Sequence, residues 1–341
     1  MSNEPYCFSI EAFIVSDIKR EKTIGIKSVP VISCEDKRID KTALVIVAVL
    51  EKYKAEICKK LDEMDMANRV FMTFESDMWS EVREETFKCF SRKMSYSFIF
   101  SDKEMITQKD MDAHIQKDLC VYVTRSSKDK PLIQSRLTKE WEREIVAGAA
   151  IDKIKGHFIT DDKGDNISLK NRKYCELTAM YWIWKNTESA YIGLSHYRRR
   201  FNEDDIALIT EKNVECMLTI PMINVPNVLY MYGKNHDAKD WQILRNIVDG
   251  ISPKYTRSLE VVEASNYYVP YNMFVMKRNV FNQYCEWIFP ILEECEKTIG
   301  DKADLYQNRY IGFLAERLMT AYFYHHKDDL RILFCNKAFL E

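Results

Sequence analysis

The strongest constraint on the fold is the run Tyr191-Ile192-Gly193-Leu194, followed almost at once by the cationic string His196-Tyr197-Arg198-Arg199-Arg200. A short continuous apolar run bounded by polar residues is the pattern of a buried strand. Ahead of it, Tyr174, Leu177, Tyr181 and Trp184 recur at spacings of three and four, which places them on one helical face, read as core. Asp165, Asn166, Ser168 and Asn171 come earlier still; their side-chain oxygens suit turns and caps, so the helix is expected to begin near Ser168 to Asn171. Helix, buried strand and cationic loop make the layout of an α/β ligand site, because such sheets take ligands just beyond the carboxyl ends of their strands. Arginine suits a phosphate there, since its planar fork gives two charge-assisted hydrogen bonds. Three consecutive arginines cannot all face one ligand. The plainer reading pairs them with carboxylates such as Asp204 and Asp205.

At 341 residues the chain has room for two domains of roughly 100–200 residues each. Residues 1–115 read as a small Rossmann-like α/β unit, with strands at Ser9 to Val15, Ser28 to Ile32 and Ala43 to Leu50. A helix carrying Tyr53, Ile57, Leu61 and Met64 and a strand at Arg69 to Phe74 complete a parallel-sheet alternation. The glycine-rich turn of a dinucleotide site is missing, because Gly25 is the only glycine before Gly148, so an interaction or scaffolding role is expected here. The polar run Ser101 to Asp118 reads as a connector. Residues 116–341 read as the second domain. Its first strand is Leu119 to Thr124, Glu144 to Ala150 follows, Thr210 and Glu211 begin a helix, and Met217 to Ile220 is a strand. Asn224 to Lys234 reads as a loop, Tyr267 to Met276 as a strand, and Phe281 to Cys295 as a helix with Pro290 inside. Asn308 to Tyr324 is the last amphipathic helix, with Glu316 and Arg317 on its polar side.

A net charge of −2 steers the protein toward neither nucleic acid nor anionic lipid, so any phosphate affinity must be local. No charged-then-apolar segment follows Met1 and no apolar run reaches eighteen residues. The expected location is the cytoplasm, with peripheral contact at the inner face of a membrane. Ten cysteines without a C-x-x-C pair argue against zinc and against a redox dithiol, and they are expected to be reduced and mostly buried.

The segments GDNISLKNRKYCELTAMYWIWKN and YIGLSHYRRRF, then NMFVMKRNVFNQYCEWIFPIL and YIGFLAERL, resemble the capsular and exopolysaccharide biosynthesis family of bacterial glycosyltransferases. That family, of the domain-of-unknown-function 4422 type, has as its hallmark a HYRR motif after a GDNIS-KN-YCELTA-YW-WKN block. The resemblance spans roughly residues 119 to 330. It implies a nucleotide-sugar transferase fold similar to the glycosyltransferase A class, acting from a nucleoside diphosphate sugar onto a lipid-linked saccharide. A UDP-linked sugar, galactose-type included, is the expected donor. The family's first strand ends at a nucleotide-facing loop that usually holds a His-Lys pair; here Thr124 leads into Arg125-Ser126-Ser127-Lys128 instead. Gly148 matches a family glycine, Asn272 lies on a strand that carries an Asn toward donor or acceptor, and Asn235-His236-Asp237 matches a loop able to reach an acceptor hydroxyl.

Glycosyl transfer asks a protein to hold a diphosphate, offset leaving-group charge and take a proton from a hydroxyl. No D-x-D follows an apolar strand, and none of Asp161, Asp162, Asp165, Asp204 or Asp205 is expected where a strand would deliver it. Diphosphate stabilisation therefore falls to Arg198 and Arg199, with His196 at the same strand end as a hydrogen-bond donor in preference to a metal ligand. A Mg²⁺ or Mn²⁺ requirement stays open, because oxygen ligands can come from distant loops; no metal ligands are assigned. Glu176, His236 and Glu316 are the candidate bases, against the plainer reading of Glu176 as the ion-pair partner of an arginine. Asn166, Asn171 and Asn272 are suited to sugar hydroxyls, and Thr124, Gly148 and Asp165 join the donor-binding candidates. Two other readings remain: a non-catalytic nucleotide- or carbohydrate-binding subunit, and another phosphate-handling α/β enzyme.

Overall fold

The computed structural model describes residues 11–15, 29–73, 76–101, 118–133, 137–152, 156 and 158–340. It divides into two compact units, Met1–Thr86 and Phe87–Glu341. In the first, β1 (Phe13–Val15) pairs in parallel with β2 (Val31–Ser33). Next come β3 (Val45–Val47), α1 (Lys54–Glu63) and β4 (Arg69–Phe71), the two strands again parallel. Val47, Leu61 and Met66 make its small core. The expected parallel pairing is present, but among the described residues it forms two separate two-stranded sheets. The run over 43–50 is accordingly not a central strand, since Leu44, Ile46 and Leu50 are exposed.

A 17-residue helix, α2 (Asp77–Lys93), leads into the second unit, which contains a ten-stranded mixed sheet. Its strands begin with β5 (Ile99–Phe100), β6 (Leu119–Arg125), β7 (Glu142–Val146) and β8 (Ile159–Thr160). Helices α3 (Asn171–Tyr174) and α4 (Leu177–Asn186) come next, then the hairpin of β9 (Tyr191–His196) and β10 (Arg199–Arg200). After α5 (Glu203–Glu211) follow β11 (Cys216–Thr219), β12 (Met222–Ile223), α6 (Val228–Asn235), α7 (Ala238–Ile251) and α8 (Thr256–Ala264). The chain closes with β13 (Tyr267–Tyr268), β14 (Phe274–Lys277), α9 (Arg278–Ile299), α10 (Tyr310–His325), β15 (Ile332–Cys335) and β16 (Ala338–Phe339). Along the sheet the order is β5-β15-β11-β14-β9-β6-β7-β8, with β14 the antiparallel member between β11 and β9. The carboxyl ends of β6, β7, β8, β9 and β11 therefore share one edge with the amino end of β14. Burial is nearly complete in β9, β11 and β15, which is why their sequences read as unbroken apolar runs.

The expected boundary at 115/116 falls among residues outside the described ones. The second unit reaches further toward the amino terminus: β5 pairs with β15, and Phe87 packs on Phe98, Phe100 and Phe334. Several local expectations change. The single helix over 174–184 is broken at Cys175, whose φ is 53°, and α4 restarts with Leu177, Thr178, Ala179, Met180 and Ile183 buried. The restart resets the helical phase, so Tyr181 and Trp184 lie at the margin of the core, half-buried, where Trp184 stacks on Phe289 and Tyr181 meets it edge-on. Thr210 and Glu211 end a helix rather than begin one. The stretch read as a loop over 224–234 contains α6, capped by the Asn227 side chain accepting from the Tyr230 N–H. Tyr267 to Met276 is two strands, split by a turn in which Tyr271 (φ 73°) and Asn272 (φ 51°) are both left-handed. Glu316 and Arg317 face inward: the Arg317 guanidinium lies 4.2 Å from the Tyr268 ring centre. No helix among the described residues is long and apolar enough to cross a membrane.

Candidate functional site

The Tyr271-Asn272 turn gathers side chains from three distant parts of the chain. His196, at the end of β9, donates from Nε2 to the Tyr271 carbonyl at 2.7 Å. The Tyr271 N–H donates to Glu316 Oε1 at 2.6 Å, and the buried Asn272 amide donates to Glu176 Oε1 at 2.7 Å and to the Gly312 carbonyl at 3.3 Å. Two adjacent left-handed residues aim successive backbone and side-chain donors at different helices, and Asn is among the residues that tolerate this conformation best. Glu176, Glu316, His196 and Asn272 thus form one cluster at the carboxyl edge of the sheet, where α/β proteins take ligands.

The cluster's electrostatics assign different tasks to its members. Burial lowers the pKa of His196 below the ordinary histidine value, against the pull of Glu176. A neutral ring whose Nε2–H is given to a carbonyl has only Nδ1 left, and Nδ1 lies 3.3 Å from the Thr124 hydroxyl, which itself donates to the Ser195 carbonyl. His196 therefore holds the turn through Nε2. Burial raises the pKa of Glu316, with Arg317 and the Tyr271 N–H opposing. Both its oxygens are engaged, the second by Arg317 Nη1 at 2.6 Å. Glu176 keeps Oε2 free of hydrogen bonds to the described residues, and the residue is partly exposed. The arginine ion pair expected for Glu176 is replaced by the Asn272 amide. Just before it, Cys175 is no helix residue: its Sγ accepts from Arg309 Nε at 3.2 Å, and burial pushes its thiol up to about 11.

The three arginines separate. Arg200 is buried, pairing with Glu142 at 3.1 Å and Glu144 at 3.7 Å, and Glu144 also takes Arg125 at 2.8 Å. That is a structural ion cluster. Arg199 lies over the Tyr271 ring at 4.5 Å and Phe339 at 5.5 Å, while Arg198 borders Tyr197 and Phe339 at 5.6 and 6.0 Å. Lys337 joins them at 5.3 Å from Tyr271 and 5.8 Å from Phe339. Pairing of β10 with β16 brings this third cation and its aromatic support to the HYRR loop.

Other candidates are occupied with turns. Gly148 has φ 77°, and a Cβ there would lie 2.5 Å from Asn171 Cγ. Its N–H and that of Ala149 donate to Asp161 at 2.8 and 3.0 Å, with the Ala150 N–H on Ser168 Oγ at 3.0 Å. Asp161 directly follows β8 and is fully buried, contrary to the expectation that no strand delivers a carboxylate; it fixes the loop after β7. Asn171 donates to the Cys175 carbonyl and Thr178 Oγ1, Asn166 accepts from the Ser168 N–H, and Asp165 accepts from the Tyr181 hydroxyl. Among the described residues Asp165 and Asn166 bond within this neighbouring segment, to Tyr181, Asn186, Gly164 and Ser168, and not to the cluster. His236 stacks on Phe313 at 4.1 Å, one helical turn from Glu316; burial and then the Arg317 charge push its pKa down to about 4. Among the described residues no three His, Cys, Asp or Glu side chains come together to hold a metal ion.

Sequence reasoning missed Tyr271, Arg309, Lys337 and Phe339. Pro270 inside an apparent strand was the available signal for the turn, since proline demotes a central strand. The aromatic and basic residues after β15 carried no comparable mark.

No curated protein matches the chain. A solved structure, the bifunctional glycosyltransferase WbbM in its apo form, matches with a TM-score of 0.59 and 26% identity over 65% of this chain. The match spans 45% of that protein, so this chain accounts for less than half of its length. The central mixed sheet and its surrounding helices are thus similar in structure to a glycosyltransferase. A family profile matches residues 128–327, more than half of the chain, and that stretch contains Glu176, His196, Asn272 and Glu316: the chain belongs to the family described as domain of unknown function (DUF4422).

Proposed function

We propose that this protein is a glycosyltransferase using a nucleoside diphosphate sugar, UDP-linked, with Glu176 as the base. The observation that carries the reading is the state of that carboxylate: Oε1 is held by Asn272, Oε2 is open, and the group sits at the ligand edge of the sheet. Glu176 Oε2 takes the acceptor hydroxyl's proton as its oxygen bonds to the anomeric carbon and the bond from that carbon to the diphosphate breaks. Arg198, Arg199 and Lys337 meet the charge that builds on the departing diphosphate. The likeness to a bifunctional glycosyltransferase supports the reaction class. The acceptor in this reading is a lipid-linked saccharide of capsule or exopolysaccharide synthesis, met at the cytoplasmic membrane face. The strand order, with one antiparallel member beside parallel strands, supports a glycosyltransferase A-like arrangement.

The test is a panel of nucleotide sugars scored for thermal stabilisation and for slow release of UDP, each with EDTA, Mg²⁺ or Mn²⁺. A ligand at a hundredfold its Kd stabilises by about 2.7 kcal/mol, a shift easily read in Tm. Stabilisation with UDP release supports the reading, and EDTA sensitivity would add a divalent ion to it. Stabilisation without any turnover favours a non-catalytic binding subunit, and release of inorganic phosphate alone favours a different phosphate-handling enzyme.

A further inference from the structure

Next to Glu176 lies a group of rings that the steps above leave unused. Tyr306 directly precedes the short 3₁₀ helix Gln307–Arg309, and Phe313 lies in the first turn of α10. Phe313 stacks on His236 with ring centres 4.1 Å apart, Tyr306 stacks on His236 at 6.0 Å, and Tyr306 meets Phe313 at 5.2 Å. Tyr306 is 54% exposed, so its ring faces solvent although other rings support it from behind. The Arg309 guanidinium lies 5.7 Å from Phe313 and 6.0 Å from Tyr306, and its Nε bonds Cys175, the neighbour of Glu176. His236 and Gln307 lie beside the stack, the Gln307 side chain bonding the imidazole and its Nε2 donating to the Asn235 carbonyl at 2.9 Å.

We propose that this stack, rimmed by Arg309 and Glu176, is a subsite for one pyranose ring of the acceptor saccharide. The proposal rests on the reading of Glu176 as the base. A pyranose presents one face of C–H bonds, weakly positive, which suits the negative face of an aromatic ring, and a rim of hydroxyls, which suits a guanidinium and a carboxylate. A single guanidinium, Arg309, lies over the Tyr306 and Phe313 rings, a poor match for a diphosphate. The three cations around Phe339 and Tyr271 answer that need on the other side of the turn.

The test measures binding of methyl β-galactopyranoside, methyl β-glucopyranoside and methyl α-mannopyranoside by saturation-transfer NMR, with UDP and uridine titrated separately. Tyr306→Ala is the main variant, because an exposed ring can be removed without opening the core; Tyr306→Phe and Arg199→Ala are controls. At least one glycoside should saturate in the millimolar range, with Tyr306→Ala weakening it fivefold or more, and Tyr306→Phe and Arg199→Ala retaining it. UDP affinity should be the same in Tyr306→Ala as in wild type. Three results overturn the subsite: no glycoside binding to wild type below about 50 mM, equal binding by Tyr306→Ala, or loss of uridine instead of glycoside. Failure of wild type to bind UDP would sink the proposed donor while the glycoside titration still decides the subsite.

Discussion

Two clusters of arginine and aromatic rings flank the Tyr271-Asn272 turn, and similar residue types serve opposite ends there. Around Phe339 and Tyr271, three cations gather on two rings, and their backbones are paired strands, β10 with β16. Around Phe313, one cation, Arg309, borders the Phe313 and Tyr306 rings, with His236 from the junction between α6 and α7 stacked on both. The ratio of cations to rings separates them: several guanidinium and ammonium groups held together suit a polyanion, whereas rings with one charged neighbour suit an uncharged amphipathic body. Glu176 lies between, tied to the turn by Asn272 and to the ring side through Cys175 and Arg309.

The largest effect should come from removing that middle. Glu176→Gln keeps the shape and the Asn272 contact but loses the base, so sugar transfer should fall about 10²–10⁴-fold. UDP affinity should be unchanged by calorimetry. A variant that keeps transfer within tenfold of wild type would take the base away from Glu176 and leave the two clusters without a shared centre.

Arginine replacement sharpens the polyanion side. Arg198→Ala or Arg199→Ala should weaken UDP by about 1.5–3 kcal/mol, the usual worth of a charged hydrogen bond. Lysine should restore only part, because it keeps the charge and loses the fork. Uridine and the methyl glycosides should bind as before. If both folded alanine variants bind UDP like wild type, the HYRR loop only supports the hairpin.

The smallest effect concerns the ring side and is read in stability. His236 in the folded protein titrates at about 4, below the ordinary 6.5. A depressed folded pKa means the unfolded chain binds the proton first, so the stabilisation is full above 6.5 and is lost as pH falls toward 4. His236→Phe keeps a ring on Phe313 and removes the titration. Its Tm should fall less than that of wild type between pH 6.5 and 4.5, and parallel Tm curves would show that the imidazole is not held neutral by the stack.

Much of this was legible from local pattern. The strand ending at His196, the cationic string beyond it and the strands at 119–125 and 216–219 all follow from short-range apolar runs, because buried parallel strands need apolar residues on both faces. Glu176, Glu316, His196 and Asn272 could be named as chemically apt residues, though the pattern gave each a separate address. The helix break at Cys175, the turn after Pro270 and the inward face of Glu316 were not legible. Each depends on a partner from elsewhere: Gly312 and Arg309 against Cys175, Glu316 against the Tyr271 N–H.

By itself, then, the sequence determined which stretches would be buried strands and which loop would carry the cations, since periodicity and chain order are properties of neighbours along the chain. Tertiary structure alone decided that Arg200 is locked in an ion cluster while Arg199 faces Tyr271, and that His196 holds a backbone turn. It also decided which carboxylate keeps an open oxygen. The contacts responsible span 45, 75 and 96 residues of chain, from Tyr271 to Glu316, His196 to Tyr271 and Glu176 to Asn272. No local periodicity encodes contacts across such distances; they exist because β14 runs antiparallel beside β9 and brings the turn at its start to the edge where β9 ends.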